Sequence, residues 1–229
     1  MYIQKPKNTV NGRLEDDMKT LKLIVMLVLG AMVSACAAVD TATRNARFEP
    51  QQPEFVQTLP TMRVTEINVL VPQTLKVSER NSYYPGGDIV WRGDAIGNRH
   101  QQVKAIFDTA LSQGTAQMDG IVPVRLDIRV DRFHALTEKA RYTIGGVHSI
   151  TFVLQIRDLS TGLALGEPRL VKADLDAFGG QQALRAEARG QTQKVRITNH
   201  LAEVIRQELS NEEGFKNPKL GLIQALNNI

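Results

Sequence analysis

Val122-Pro-Val-Arg-Leu-Asp-Ile-Arg-Val130 is the stretch that decides the fold. Side chains on a strand alternate with period two, so Val122, Val124, Leu126, Ile128 and Val130 point one way and Pro123, Arg125, Asp127 and Arg129 the other. One buried face and one wet face is the pattern of an antiparallel sheet covered on one side. Pro123 is tolerated there because a strand's first residues need not donate to the ladder.

Downstream, a second strand is expected from about Tyr142 to Arg157, with His148, Ile150, Phe152, Leu154 and Ile156 on one face. Asp158-Leu-Ser-Thr-Gly162 is a turn, built of residues that each favour turn conformations, and a third strand follows through about Leu175 to close a hairpin. Pro168 marks a break or an edge in it. Gly179-Gly180 then opens a long helix to about Leu209 along the stripe Leu184, Ala188, Val195, Thr198, Ala202, Ile205 and Leu209, thickened by Leu201 and Val204. Gly190 lies inside that stripe, so a kink or a later helix start is the alternative.

Upstream, Val103, Ile106, Phe107, Ala110 and Leu111 form one apolar helical stripe, with Asn98 as N-cap and Gly114 as stop. A first strand runs Arg63 to Val71 and ends at Pro72; Leu70 on its polar side suggests cover on both faces. The order strand, helix, three strands, helix predicts an α+β domain: an antiparallel sheet of about four strands with two helices packed on one face. It spans residues 61–210, with 211–229 as a C-terminal tail.

The N-terminal third has a different character. Leu23 to Val33 is apolar, Lys19 and Lys22 precede it, and Val33-Ser34-Ala35-Cys36 ends it in the only cysteine. A basic n-region, a short apolar h-region and a small-residue cleavage site make a secretory signal, too short to span a bilayer, which takes about 20 apolar residues. The last four residues have the layout of a bacterial lipobox, predicting a signal peptide over 18–35 and diacylation of Cys36, with palmitate-type chains, as residue one of the mature protein. Residues 1–17 carry Glu15, Asp16 and Asp17 where an n-region should be basic, so Met18 is the expected start. Residues 36–60, polar, small and broken by Pro50 and Pro53, are expected to tether lipid to domain.

Charge excludes one class of partner. The chain has 28 Lys and Arg against 24 Asp and Glu; without residues 1–35 these become 23 and 21, mixed along every segment. Nucleic-acid domains gather their cations on one face, so no nucleic acid is expected. With Cys36 acylated no thiol remains for a disulfide or nucleophile. His100, His134, His148 and His200 show no metal-site spacing, and no metal, cofactor or catalytic residue is assigned. Gly145-Gly146 and Gly179-Gly180 lack the Lys-Ser/Thr of a phosphate loop and are turns.

The candidate partner-binding residues are Tyr83, Tyr84, Trp91 and Arg92, in a long connection over 73–97, because Tyr, Trp and Arg dominate interface energy. For Trp91 the favoured role is a plug at one end of the core whose N–H finds a carbonyl. Arg132 to Arg141 is expected to be a solvated hairpin tip. Two functions stand: a non-enzymatic lipoprotein binding another envelope component, or a glycan-binding protein or hydrolase using the 83–94 loop with Asp88 or Asp94 as a carboxylate.

Asp88-Ile-Val-Trp-Arg-Gly-Asp94, Arg132-Phe-His-Ala-Leu-Thr-Glu-Lys-Ala-Arg-Tyr142, Gly145-Gly-Val-His148 and Asp158-Leu-Ser-Thr-Gly162 together resemble an uncharacterised lipoprotein family of marine, Rhodobacterales-type alphaproteobacteria, over about residues 60–210. The resemblance implies a membrane-anchored envelope protein and supplies no catalytic motif. By analogy with lipoprotein sorting, Ala37 and Ala38 after the cysteine imply the periplasmic face of the outer membrane.

Overall fold

A computed structural model describes residues 62–221 and 224–225. The signal, Cys36 and the tether lie outside the described residues. The elements are β1 (Met62–Leu70), β2 (Ile89–Val90), α1 (Arg99–Thr115), β3 (Val122–His134), α2 (Glu138–Arg141), β4 (Gly146–Asp158), β5 (Arg169–Lys172), β6 (Leu175–Ala177), α3 (Gly180–Ala188) and α4 (Gln193–Ser210).

The α+β class holds, with more strands than expected: among the described residues, six strands form one open sheet in the order β1-β3-β4-β5, with β2 also on β3 and β6 also on β4. The sheet is mixed, which corrects the antiparallel expectation. β1 and β2 run parallel to β3, while β3–β4, β4–β5 and β4–β6 are antiparallel. The parallel pairing follows from connectivity: α1 sits between β1 and β3, and a helical crossover returns the chain in the same direction.

The alternation of Val122–Val130 and of His148–Ile156 is realised, and Val124, Leu126, Val130, Ile150, Phe152 and Leu154 are buried against Val103, Ile106, Phe107, Leu111, Ile197, Leu201 and Ile205. Each large apolar side chain so buried contributes about 1.5–3 kcal/mol. Phe107 meets Phe152 edge-on with centroids 5.5 Å apart. On the wet face Asp127 ties three strands, accepting from Asn68 of β1 (3.3 Å) and Arg157 of β4 (2.9 Å). Leu70 is exposed on this side, so β1 is covered on one face among the described residues.

Among the described residues, four helices replace the expected two. Asn98 does cap α1, its Oδ1 accepting from Gln101 N (3.1 Å). The long C-terminal stripe is broken at Gly190, whose φ of +76° is the left-handed region that glycine enters freely, so α3 ends and α4 starts under its own cap, Thr192. Gly114 is not a stop but lies inside α1. The third strand divides into β5 and β6 because the Asp174 carboxylate accepts from Ile150 N (3.3 Å), a donor the ladder would otherwise use. Asp174 Oδ2 also accepts from Asn217 (3.1 Å) and Gln224 (2.8 Å), fastening the tail to the domain.

Candidate functional site

β3 continues past Val130 through a bulge at Asp131, which lets Arg132 pair with Thr151 and turns Phe133 into the core. The Arg132–Arg141 segment is therefore not a solvated hairpin tip: Phe133, Ala135, Thr137 and Ala140 are all buried. Thr137 caps α2, accepting from Ala140 N (3.3 Å), and its hydroxyl donates to Ser82 O (2.9 Å). Lys139 N donates to Asn81 Oδ1 (2.8 Å), and Ser78 Oγ to Pro85 O (2.7 Å). These bonds pin the Ser82–Gly86 loop over the end of β3.

Between loop and strand end lies a recess of about 230 Å³, walled by Tyr83, Tyr84, Leu136, Ile144 and Val147, with His134 at one side. Gly145 and Gly179 abut behind it, with no room for a Cβ on either, which explains the two glycine pairs. Tyr84 and Ile144 are 78% and 67% exposed at the rim. Lys139 Nζ stands 4.8 Å from the centre of the Tyr83 ring. The residues lining the recess include no carboxylate.

His134 is held in one protonation state. An Arg132 guanidinium N–H lies 2.6 Å from His134 Nδ1; arginine only donates, so Nδ1 accepts and the ring proton sits on Nε2. Burial, then the Arg132 charge, lowers its pKa to about 4, so the ring is neutral at pH 7. Nε2–H has no hydrogen-bond partner among the described residues, and His134 is one of the residues lining the recess.

The four expected contact residues divide. Tyr83 and Tyr84 come together at the recess. Trp91 does not: it is fully buried, edge-on to Phe133 at 5.7 Å, and its N–H donates to Asp94 Oδ2 (2.8 Å), a carboxylate. Arg92 is a strut, bonded to Glu138 of α2 and to Glu79 O (2.7 Å). Asp88 accepts from Lys76 N (2.8 Å), and Asp94 also takes Lys194 (2.8 Å); neither lines the recess. His134, Leu136 and Ile144 were not singled out from the sequence; the loss of strict alternation after Val130 is the signal that marks them.

A wider recess of about 700 Å³ opens at the other end of the sheet between Met62, Leu154, Ile156, Leu165 and Leu209. Its wall residues Arg169 and Glu208 are paired with each other. No group of His, Cys, Asp or Glu among the described residues has the arrangement of a metal site, and no described helix is long and apolar enough to cross a membrane.

Residues 62–225 match a family model, and the chain belongs to this family, the family of unknown function DUF6778. No curated protein matches the chain. Among solved structures, the crystal structure of a presumed lipoprotein from Caulobacter crescentus CB15 is 13% identical, covers 63% of this chain and 87% of its own, and superposes with a TM-score of 0.32. No property passes from it to this chain at that level.

Proposed function

We propose that the chain is a non-enzymatic lipoprotein of the bacterial envelope, anchored through Cys36 at the periplasmic face of the outer membrane, whose folded domain binds another envelope component. The leader and Val33-Ser34-Ala35-Cys36 support the anchor. The observation that carries the binding role is the recess, where two tyrosines and Ile144 leave an apolar, aromatic rim exposed around a pocket backed by a rigid strand end. Aromatic rims around pockets are where interface energy concentrates.

The recess lies at the C-terminal end of β3, while β1 enters beside the strand's N-terminal end, Met62 pairing with Val122. Thirteen residues at about 3.3 Å each separate the two ends by about 40 Å. A tether reaching Met62 thus leaves the recess on the far side of the domain, and lipid attachment raises its effective concentration near partners in the same layer.

The test has two parts. Intact mass from native membranes should show an acylated N-terminal Cys36, lost in Cys36→Ser; an unmodified chain that keeps residues 18–35 would overturn the anchor. A photoreactive residue at position 84 should capture one discrete envelope component; equal capture by a control position on the wet face, such as 129, would overturn the binding role. Exposure of the Tyr84 ring also favours a second reading, stacking on a sugar, and a captured glycan would select it.

A further inference from the structure

We infer that the recess between Tyr83, Tyr84 and His134 binds a small apolar acid in its ionised form, the carboxylate accepting from His134 Nε2–H and the apolar body resting on Leu136, Ile144 and Val147. The inference rests on the reading of this recess as a binding site and adds the chemistry of its occupant.

Three observations converge on that class. The polar offer is a donor: because Arg132 donates to Nδ1, the His134 proton sits on Nε2, and whatever meets it must accept. The donor is strengthened from behind, since hydrogen bonds in a chain polarise one another and this chain begins at a guanidinium. Arg132 is half-buried and forms no salt bridge among the described residues; burial lowers its pKa, and Asp88 and Asp174 oppose that from a distance without bonding it. Lys139 adds a second cation over the Tyr83 ring, and no carboxylate lines the walls, so an anion is favoured over a cation.

Size and valence narrow the anion. A volume of about 230 Å³ lies below the range of drug-sized sites, about 300–1,000 Å³, and suits one ring or a short branched chain. One directed N–H suits a monoanion with one apolar end. A phosphate dianion would ask for several charged donors, and the walls are mainly aliphatic and aromatic, with the unpartnered, buried Ser82 hydroxyl among them.

The experiment uses the full chain, solubilised from membranes in a nonionic detergent and labelled with ¹⁵N-histidine. Benzoate is the probe, with benzyl alcohol, benzylamine and inorganic phosphate as comparisons. Expected are a His134 ring protonated on Nε2 between pH 5 and 8 and a saturable benzoate shift at that nitrogen. Benzoate should bind at least tenfold tighter than the other three, and at least tenfold less tightly to His134→Phe.

Because that variant changes a buried residue, Tyr84→Ala, on the exposed rim, is the second: it should weaken benzoate several-fold with the His134 signals otherwise unmoved. A proton on Nδ1, or benzyl alcohol or phosphate binding as tightly as benzoate, overturns the inference. Capture from position 84 without benzoate binding overturns the acid and leaves the binding role standing; failure of both overturns both.

Discussion

Gly114 of α1 lies so close to Ala202 of α4 that a Cβ on the glycine would occupy the place of the Ala202 carbonyl oxygen and of Ile205 Cγ2. The two helices approach backbone to backbone there, and the sequence accepts a glycine in the last turn of α1, at up to the roughly 1 kcal/mol that glycine costs relative to alanine in a helix interior, to allow it. Gly114→Ala recovers that propensity but forces the helices apart, and overpacking costs about 1–3 kcal/mol. The net expectation is a loss of about 1–2 kcal/mol in urea unfolding; a more stable variant would mean that the helices separate freely.

Trp91 is the sole tryptophan and is fully buried beside Phe133, so it reports folding without labels. Its emission should be blue-shifted in the native chain and move red in one cooperative step with denaturant. Trp91→Ala opens a cavity and should cost about 3–5 kcal/mol, the range for large aromatic deletions. A red emission maximum in the folded chain would place the indole in water and contradict the packing.

Stability should fall as pH drops from 6.5 towards 4. Burial first, then nearby cations led by Arg196, lowers the His148 pKa to about 3; His134 is lowered to about 4, and burial lowers His200 in the same direction. In the unfolded chain the His148 and His134 rings bind protons below about pH 6.5, while the folded chain leaves these two neutral down to about pH 5. Protonation therefore favours unfolding, at about 1.4 kcal/mol per pH unit for each ring, or about 2 kcal/mol per ring between pH 6.5 and 5. About one pH unit above 6.5 this contribution levels off. Urea midpoints at pH 7 and 5 measure it, and His148→Gln should give the shallower dependence; parallel profiles would reject the buried neutral ring.

Glu79 joins two arginines that hold the long 73–97 connection. Arg99, almost fully buried, gives it Nε (2.6 Å) and Nη2 (3.1 Å), and Arg92 reaches it from the other side at 3.3 Å. The hydrogen bond from Arg99 is the main reason its carboxyl pKa lies below the usual value. Glu79→Ala strands the buried Arg99 cation, though Asp94 O, Ala95 O and Gln102 still accept from it. A loss of about 2–3 kcal/mol is expected, below the 3–5 of an uncompensated buried charge. Glu79→Gln, which keeps an acceptor, should lose about half as much, and equal losses would assign the effect to packing.

What the sequence made legible was periodicity. The five inward residues of Val122–Val130, the helical stripe 103–111 and the Asn98 cap all appear where spacing puts them. Turn chemistry was as readable: Asp158 Oδ1 accepts from Ser160 N and Thr161 N, both at 2.8 Å, as an aspartate-led turn does. Direction was not read, because an alternating strand looks the same in a parallel or an antiparallel pair; the helix between β1 and β3 was the clue. The bulge at Asp131 went unread for a related reason, although the alternation breaks there. One extra residue inverts the parity that follows, so Phe133 and His134 fall outside the pattern that located Val130. The recess depends on that inversion, and on a loop whose Tyr83 and Tyr84 could be marked by residue type alone while their neighbours could not.

The arginine behind His134 has one more effect. Histidine is the side chain most prone to change charge near neutrality, and surfaces that carry it tend to answer to acidity as much as to shape. Here the nitrogen that would accept the second proton already holds an arginine hydrogen bond, and the ring keeps one tautomer well below neutrality. A molecule bound at this wall as proposed would thereby meet the same donor in mildly acid and in neutral surroundings, insulated from the medium.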